Sequence, residues 1–133
     1  MFSLRRETDY AIQFLKKLAK ERKNFLSLQT VAEQTGVSFL FLQKIARKLR
    51  LFGLVEAEQG VKGGYRLIVP KEKLTLKKVT KAMEGGCAVL SCFKNDSACC
   101  GKDKNCPIKS SRAMNKMQKE LNKMMERIKI VEL

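Results

Sequence analysis

The chain has 133 residues, 44% of them hydrophobic, so it is long enough for one domain with an extension and too apolar for wholesale disorder. Its 28 basic and 13 acidic residues give a net charge of +15, which favours a polyanionic partner, most simply nucleic acid, over a lysine-rich solvated surface. Because the sequence lacks histidine, a Ser-His-Asp triad, a Cys-His nucleophile pair and a histidine-ligated catalytic zinc are excluded, and we do not expect an enzyme.

The apolar residues do not form a membrane-spanning segment. No uncharged apolar stretch reaches the roughly 18 residues that a spanning helix needs. Charges also interrupt the apolar pattern of the N-terminal segment, unlike a secretory signal, and we therefore predict a cytoplasmic protein without a membrane partner. In a reducing compartment, cysteines serve more often as ligands or redox centres than as structural disulfides.

The first part of the chain predicts three helices. Apolar residues at three- and four-residue steps indicate the first helix over 7–20. Ser27 caps a short second helix that Gly36 closes, and Ser38 caps a third helix that extends to about residue 50. Two short helices around a glycine-containing turn predict a helix-turn-helix, whose second helix enters the major groove of DNA. An ordinary helical hairpin is the alternative.

A predicted β-hairpin directly follows the third helix. Its strands are expected at 53–58 and 65–69, and a glycine-rich turn over 59–64 joins them. The paired glycines in this segment serve the geometry of the turn. A helix-turn-helix followed by such a hairpin is typical of a winged helix-turn-helix, which argues against the plain helical hairpin.

Six residues are candidates for DNA contact. Between residues 38 and 54 the sequence has basic residues and no acidic one, which favours phosphate contact by the third helix. The candidates are Ser38, Gln43, Lys44 and Arg47 from this helix and Lys62 and Arg66 from the hairpin. We expect Gln43 to pair with adenine and the basic residues to contact phosphate. Phe39 and Leu40 are unusually apolar for a base-reading surface, and they either touch thymine methyl groups or only pack.

All five cysteines lie between a fourth predicted helix, over 75–83, and a long last helix. They are Cys87, Cys92, Cys99, Cys100 and Cys106. Thiolates gathered without any imidazole indicate an iron–sulfur cluster or a thiol switch. Structural zinc prefers two short pairs of cysteines, and only Cys87 and Cys92 have a spacing in that range. A zinc site and a metal-free disulfide switch therefore stay as alternatives.

The last helix has apolar residues at alternating steps of three and four, which is typical of a coiled-coil seam. The seam residues are Met114, Met117, Leu121, Met124 and Ile128. We predict that this helix dimerises, although it could also pack on the chain's own core. The expected fold is mainly α with a small β-wing: a winged helix-turn-helix DNA-binding domain over 1–84, a cysteine-rich cluster-binding loop over 85–106 and a dimerisation helix over 107–133.

Several segments share a pattern with one family. They are VAEQTGVS in the helix-turn-helix, GVKGGYRL in the wing and the Glu-Gly pair before the cysteines. Together they resemble the winged-helix regulators of the IscR and NsrR type, over nearly the whole chain. The resemblance implies a homodimer on a palindromic operator in double-stranded DNA. It also implies a 2Fe–2S or 4Fe–4S cluster whose redox, nitric oxide or iron status controls operator affinity, as in a redox-sensing repressor.

The resemblance further implies which residues hold the cluster. The first cysteine of the family pattern corresponds to Cys92, and the third, which precedes the last helix, corresponds to Cys106. The middle one fits Cys100, with Cys99 as its close rival.

The fourth ligand differs among members of this family. IscR-like members use a histidine, and this chain has Lys109 at that place. NsrR-like members can use an aspartate near the N-terminus of the partner subunit, a place in the sequence that Asp9 occupies, and Cys99 and Cys87 are further candidates. Gln59 stands where the wing of this family usually has an arginine, so the chain lacks that basic DNA contact.

Two other functions fit the same residues. One is a cluster-free repressor of this fold that works through thiols or zinc. The other is an interaction adaptor that uses the winged fold without binding an operator.

Overall fold

The computed structural model describes residues 4–21, 23–86, 88 and 111–133. The helices of these ranges are α1 (Arg6–Lys20), α2 (Leu28–Thr35), α3 (Phe39–Leu51), α4 (Leu76–Glu84) and α5 (Arg112–Arg127). Strands β1 (Val55–Glu58) and β2 (Gly64–Leu67) form an antiparallel hairpin between α3 and α4, and 3-10 turns lie at Lys71–Lys73 and Ile130–Glu132. This architecture confirms the predicted fold, mainly α with a small β-wing. Within the described ranges no helix is long and apolar enough to span a bilayer.

Side-chain caps define the two helices of the helix-turn-helix. The Ser27 hydroxyl oxygen accepts a hydrogen bond from the backbone N–H of Thr30, and that of Ser38 accepts one from Phe41, each at 3.2 Å. Between the two helices, Gly36 has a φ of 74°, a left-handed conformation that glycine adopts without steric cost. The predicted starts of both helices and the turn between them are therefore confirmed.

The wing contains the hairpin and one further pairing. Val55 of β1 lies opposite Leu67 of β2. Ahead of α2, Leu26 donates its N–H to the Tyr65 carbonyl at 2.9 Å and accepts from the Tyr65 N–H at 2.8 Å. A Cβ at Gly64 would lie 2.3 Å from the Leu26 carbonyl oxygen, so this close pairing requires glycine. The wing is thereby attached to the start of α2.

The core lies where α1, α3 and α4 meet. Its largest fully buried apolar side chains are Phe14, Leu15, Leu18, Leu42, Ile45, Leu49, Leu74, Ile130, Val31, Val55 and Val79. Among them Ile130 comes from the tail that follows α5. Its N–H donates to the Leu74 carbonyl at 2.9 Å, and the Leu76 N–H donates to the Ile128 carbonyl at 2.8 Å. The tail thus pairs with the segment that leads into α4.

The predicted seam of α5 is divided between two environments. Leu121 and Ile128 pack against the core, and Ile128 lies just beyond the end of the helix. Met117 and Met124 are 56% and 54% exposed. The residue that α5 buries most is Met125, which lies outside the predicted seam.

Candidate nucleic-acid interface

One face of α3 is exposed along most of the helix. Residues at steps of three and four share a face of an α-helix, and over residues 40–47 they are Leu40, Gln43, Lys44 and Arg47. All four are exposed, and we call them the α3 row. Three predicted DNA contacts therefore lie on one solvent-facing row, while the fourth from this helix, Ser38, caps its start.

Two lysines of α3 are held by one carboxylate of α1. The Lys44 Nζ donates to Glu7 Oε1 and the Lys48 Nζ donates to Glu7 Oε2, each at 3.1 Å. We call these three residues the Glu7 cluster. Hydrogen bonds from Lys48 and then Lys44 hold the pKa of Glu7 below its ordinary value, against a smaller opposing effect of desolvation. The charge of Lys44, a predicted DNA contact, is therefore partly compensated in the free protein.

The two cations of the wing, Arg66 and Lys62, differ in their ion pairing among the described residues. Arg66 Nε donates to Glu56 Oε1 at 2.8 Å, and its Nη2 contacts the same oxygen. The Arg66 guanidinium also lies 4.5 Å from the centroid of the Phe25 ring, in cation–π contact. Lys62, at the turn of the hairpin, is exposed and has no ion-pair partner among the described residues. The two predicted wing contacts thus start from different electrostatic states.

An open groove of about 540 Å³ separates α3 from the wing. Phe39, Gln43 and Arg50 line its α3 side, and Gln59 lines its wing side. Gln29, at the start of α2, lines it as well. Sequence reasoning did not assign Gln29 or Arg50 to the site. Gln29 could not be found from the sequence, because the groove forms only when the hairpin folds back beside α3. Arg50 could have been found, because it belongs to the stretch without acidic residues that indicated this helix.

The predicted cluster ligands lie mostly outside the described residues. The ones outside are Cys87, Cys92, Cys99, Cys100 and Cys106. Asp9 is described, and it lies exposed on α1, where it accepts a hydrogen bond from the Gln13 side chain at 3.3 Å. Among the described side chains, no group of three histidine, cysteine, aspartate or glutamate residues could hold a metal ion.

A helix-turn-helix with an exposed row on its second helix, next to a two-stranded wing, defines a winged helix-turn-helix protein of the DNA-binding class. This is the geometry that α2, α3 and the β1–β2 hairpin form. The chain belongs to the Rrf2 family of iron-dependent transcriptional regulators, whose sequence pattern matches residues 4–133. Membership confirms the resemblance to winged-helix regulators that the motifs indicated.

Individual relatives agree with this assignment. The chain is 34% identical over 112 residues to the protein aau3 of Rhizobium meliloti (strain 1021), covering 84% of this chain and 69% of that protein. It is 31% identical over 103 residues to the HTH-type transcriptional regulator NsrR of Shouchella clausii, covering 77% and 69% of the two. Its fold is similar to that of CymR, the global cysteine regulator of B. subtilis, with a TM-score of 0.74 and 19% identity over 98% of this chain and 94% of that chain.

Proposed function

We propose that the chain binds an operator in double-stranded DNA as a homodimer, and that a cysteine-held iron–sulfur cluster controls its affinity. The observation that carries the DNA-binding part is the exposed α3 row beside the wing. An α-helix fits the major groove of B-DNA, and side chains on its outer face then reach the base edges. The net charge of +15 supplies the general attraction to phosphate.

Each predicted contact has a role that its environment allows. Gln43 reads a base edge through its amide, while Arg47 and Lys62, which have no ion-pair partner in the described part of the chain, contact phosphates. Ser38 accepts the capping hydrogen bond through its hydroxyl oxygen, so its O–H hydrogen stays available for a phosphate. On DNA binding, Lys44 leaves the Glu7 carboxylate and Arg66 leaves the Glu56 carboxylate, and each then binds a phosphate oxygen.

The donor set fits an iron–sulfur cluster. Thiolates are the usual ligands of such clusters, and the chain has five cysteines between α4 and α5 and no histidine. The proposed ligands are Cys92, Cys100 and Cys106, with Asp9, Cys99 and Cys87 as candidates for the fourth position. When bound, the cluster would supply a centre that responds to oxidation, nitric oxide or iron supply.

A series of contacts connects the end of α4, which directly precedes the cysteines in the sequence, with α3. Glu84 is the last residue of α4, its side chain is 4% exposed, and its Oε1 accepts the backbone N–H of Arg5 at 2.8 Å. Arg5 directly precedes α1, which holds Lys44 and Lys48 through Glu7. In our proposal, a change in the cysteine segment shifts the end of α4, and α1 passes this shift to α3.

The exposed methionines of α5 support the dimer. Met117 and Met124 are seven residues apart and lie on one face of the helix. A second copy of the chain would cover them. In this proposal, residues 1–84 bind DNA, residues 85–106 bind the cluster and residues 107–133 form the dimer.

Anaerobic purification tests the cluster. We expect sulfur-to-iron charge-transfer bands in the visible spectrum, with iron and sulfide in cluster stoichiometry. Changing Cys92, Cys100 and Cys106 to serine should remove the bands and alter operator affinity. A colourless anaerobic preparation that contains zinc would contradict the proposal. Single serine variants of Cys87 and Cys99 and an asparagine variant of Asp9 would then identify the fourth ligand.

A cluster-free thiol regulator of the same fold is the second candidate. The number of cysteines supports this second function. The segment has five cysteines and the proposed cluster uses three of them, so two thiols would be available for redox chemistry. Metal-free protein distinguishes the two functions: operator affinity that changes on oxidation without any iron favours thiol sensing. Binding to DNA without sequence preference would favour the adaptor function instead.

A further inference from the structure

Leu40 holds an exposed place at the start of the α3 row. This residue is 77% exposed, and it lies on the same helix face as Gln43 and Arg47. The next residue, Phe41, points the other way, and its ring meets the ring of Tyr10 edge-on at 5.4 Å. Neither Leu40 nor its neighbour Phe39 belongs to the apolar cluster that the described residues form. The apolar character of Leu40 therefore does not serve the core that the described residues form.

The major groove offers a leucine side chain one apolar partner, the 5-methyl group of thymine. A leucine cannot hydrogen-bond the donors and acceptors that a G·C pair presents there. Covering those groups would remove water without a replacement, which is unfavourable. An aliphatic residue on the reading face therefore favours thymine over the other bases.

Gln43 lies next to Leu40 on the α3 row and favours the same type of base pair. Its amide can bond the N6 and N7 atoms of adenine together. Residues three apart on a helix have Cβ atoms roughly 5–6 Å from each other, so Leu40 and Gln43 contact the same base pair or adjacent ones. Leu40 and Gln43 together would thus recognise an adenine on one strand and a nearby thymine methyl group on either strand.

We propose that Leu40 reads the 5-methyl group of a thymine in the A·T-containing step that Gln43 contacts. Part of the sequence selectivity of this chain then depends on an apolar contact and not on hydrogen bonds. This inference rests on the proposed DNA-binding function of α3.

The test removes the methyl group without changing base pairing. Binding sites are first selected from random double-stranded DNA with the purified full chain. Fluorescence anisotropy then gives the Kd for the selected site and for versions in which deoxyuridine replaces each thymine in turn. Burial of one methyl-sized group corresponds to about fourfold in Kd, and we expect a loss of this size at one thymine of each half-site.

Two leucine variants assign this loss to a side chain. In Leu40→Ala the thymine and deoxyuridine sites should bind equally well, as in a double-mutant cycle in which both changes remove one contact. Leu51→Ala is the matched control, because Leu51 is 80% exposed at the opposite end of the same helix, and it should keep the fourfold loss.

The outcomes separate this inference from the proposed function. A deoxyuridine loss that persists in Leu40→Ala, or no loss at any thymine with the wild-type chain, would overturn the inference and leave sequence-specific DNA binding in place. If the selection enriched no sequence at all, the operator-binding function itself would be contradicted, and the inference with it.

Discussion

The cations of α3 and the wing form two groups that look alike in the sequence and differ in the structure. Arg47, Arg50 and Lys62 are exposed and have no ion-pair partner among the described residues. Lys44, Lys48 and Arg66 are each held by a carboxylate of the same chain. An unpaired cation can take a phosphate directly and release the condensed counterion, whereas a paired cation must first give up its carboxylate. The number of basic residues therefore overstates the charge that this surface offers to DNA.

The largest effect is expected at Arg47. Changing Arg47→Gln removes an unpaired cation from the α3 row, so we expect operator binding to weaken on the order of tenfold, the size of one charged hydrogen bond. The slope of log Kobs against log salt concentration should become shallower by about one. Fluorescence anisotropy over a range of salt concentrations measures both quantities.

Lys44→Gln is the matched comparison for Arg47→Gln, because it removes the same charge from the same row. Its effect should be clearly smaller, since the Lys44 charge is already partly compensated by Glu7. Equal losses from the two variants would mean that ion pairing in the free protein does not decide which cation DNA uses.

The Glu7 cluster gives the second prediction. Glu7→Gln removes the carboxylate that holds Lys44 and Lys48, so we expect operator binding to tighten by about threefold and the salt slope to become steeper by about one. The free energy of unfolding should fall by about 0.5 kcal/mol, as is usual for partly exposed ion pairs. Anisotropy titrations and urea unfolding measure the two effects.

Glu120→Gln on α5 is the control for the lost negative charge, because Glu120 pairs with Lys123 on its own helix at 3.6 Å. It should leave the operator Kd nearly unchanged. Weaker binding by Glu7→Gln would show that the carboxylate positions α3 for DNA instead of competing with phosphate.

A smaller change is expected in the wing. Glu56→Gln frees Arg66 from its carboxylate, but the stacking of its guanidinium on the Phe25 ring remains. We therefore expect operator affinity to change by less than about twofold. An increase as large as that of Glu7→Gln would indicate that the ion pair alone restrains Arg66.

The smallest effect concerns the titration of Glu7. Its pKa lies below the ordinary value of 4.5, so its ion pairs stabilise the fold above that pH, and this stabilisation is lost as the pH falls through the lowered value. Lys48→Gln should raise the pKa of Glu7 more than Lys44→Gln, because the hydrogen bond from Lys48 is the larger cause of the shift. NMR titration of the side-chain carboxyl carbon measures this order, and the reverse order would contradict it.

The helix ends that depend on local chemistry were predictable from the sequence. Serine side chains cap α2 and α3 at Ser27 and Ser38, and the Thr75 hydroxyl oxygen accepts the Lys78 N–H at the start of α4. Gly85 ends α4 with a φ of 75°, as expected for a glycine that closes a helix. The α3 row followed from the helical period, since its opposite face is apolar.

Contacts between distant segments were not predictable in this way. Glu7 pairs with Lys44 and Lys48, which lie 37 and 41 residues away in the sequence. The spacing of residues within a helix does not predict which surface charges of different helices come together. The same holds for the pairing of Leu26 with Tyr65 and for the groove beside α3. The proposed cysteine ligands lie outside the described residues, so they stay predictions.

The pairing of the C-terminal tail with the segment ahead of α4 bears on how truncated chains should be designed. A fragment that stops after α4 would lack Ile130, which is fully buried, and the hydrogen bond from its N–H to the Leu74 carbonyl. Loss of a buried aliphatic side chain typically costs about 2–5 kcal/mol, a large part of the stability of a small domain. A minimal DNA-binding fragment is therefore better made by shortening the connection between α4 and α5, or by adding the tail back as a separate peptide, than by ending the chain at α4.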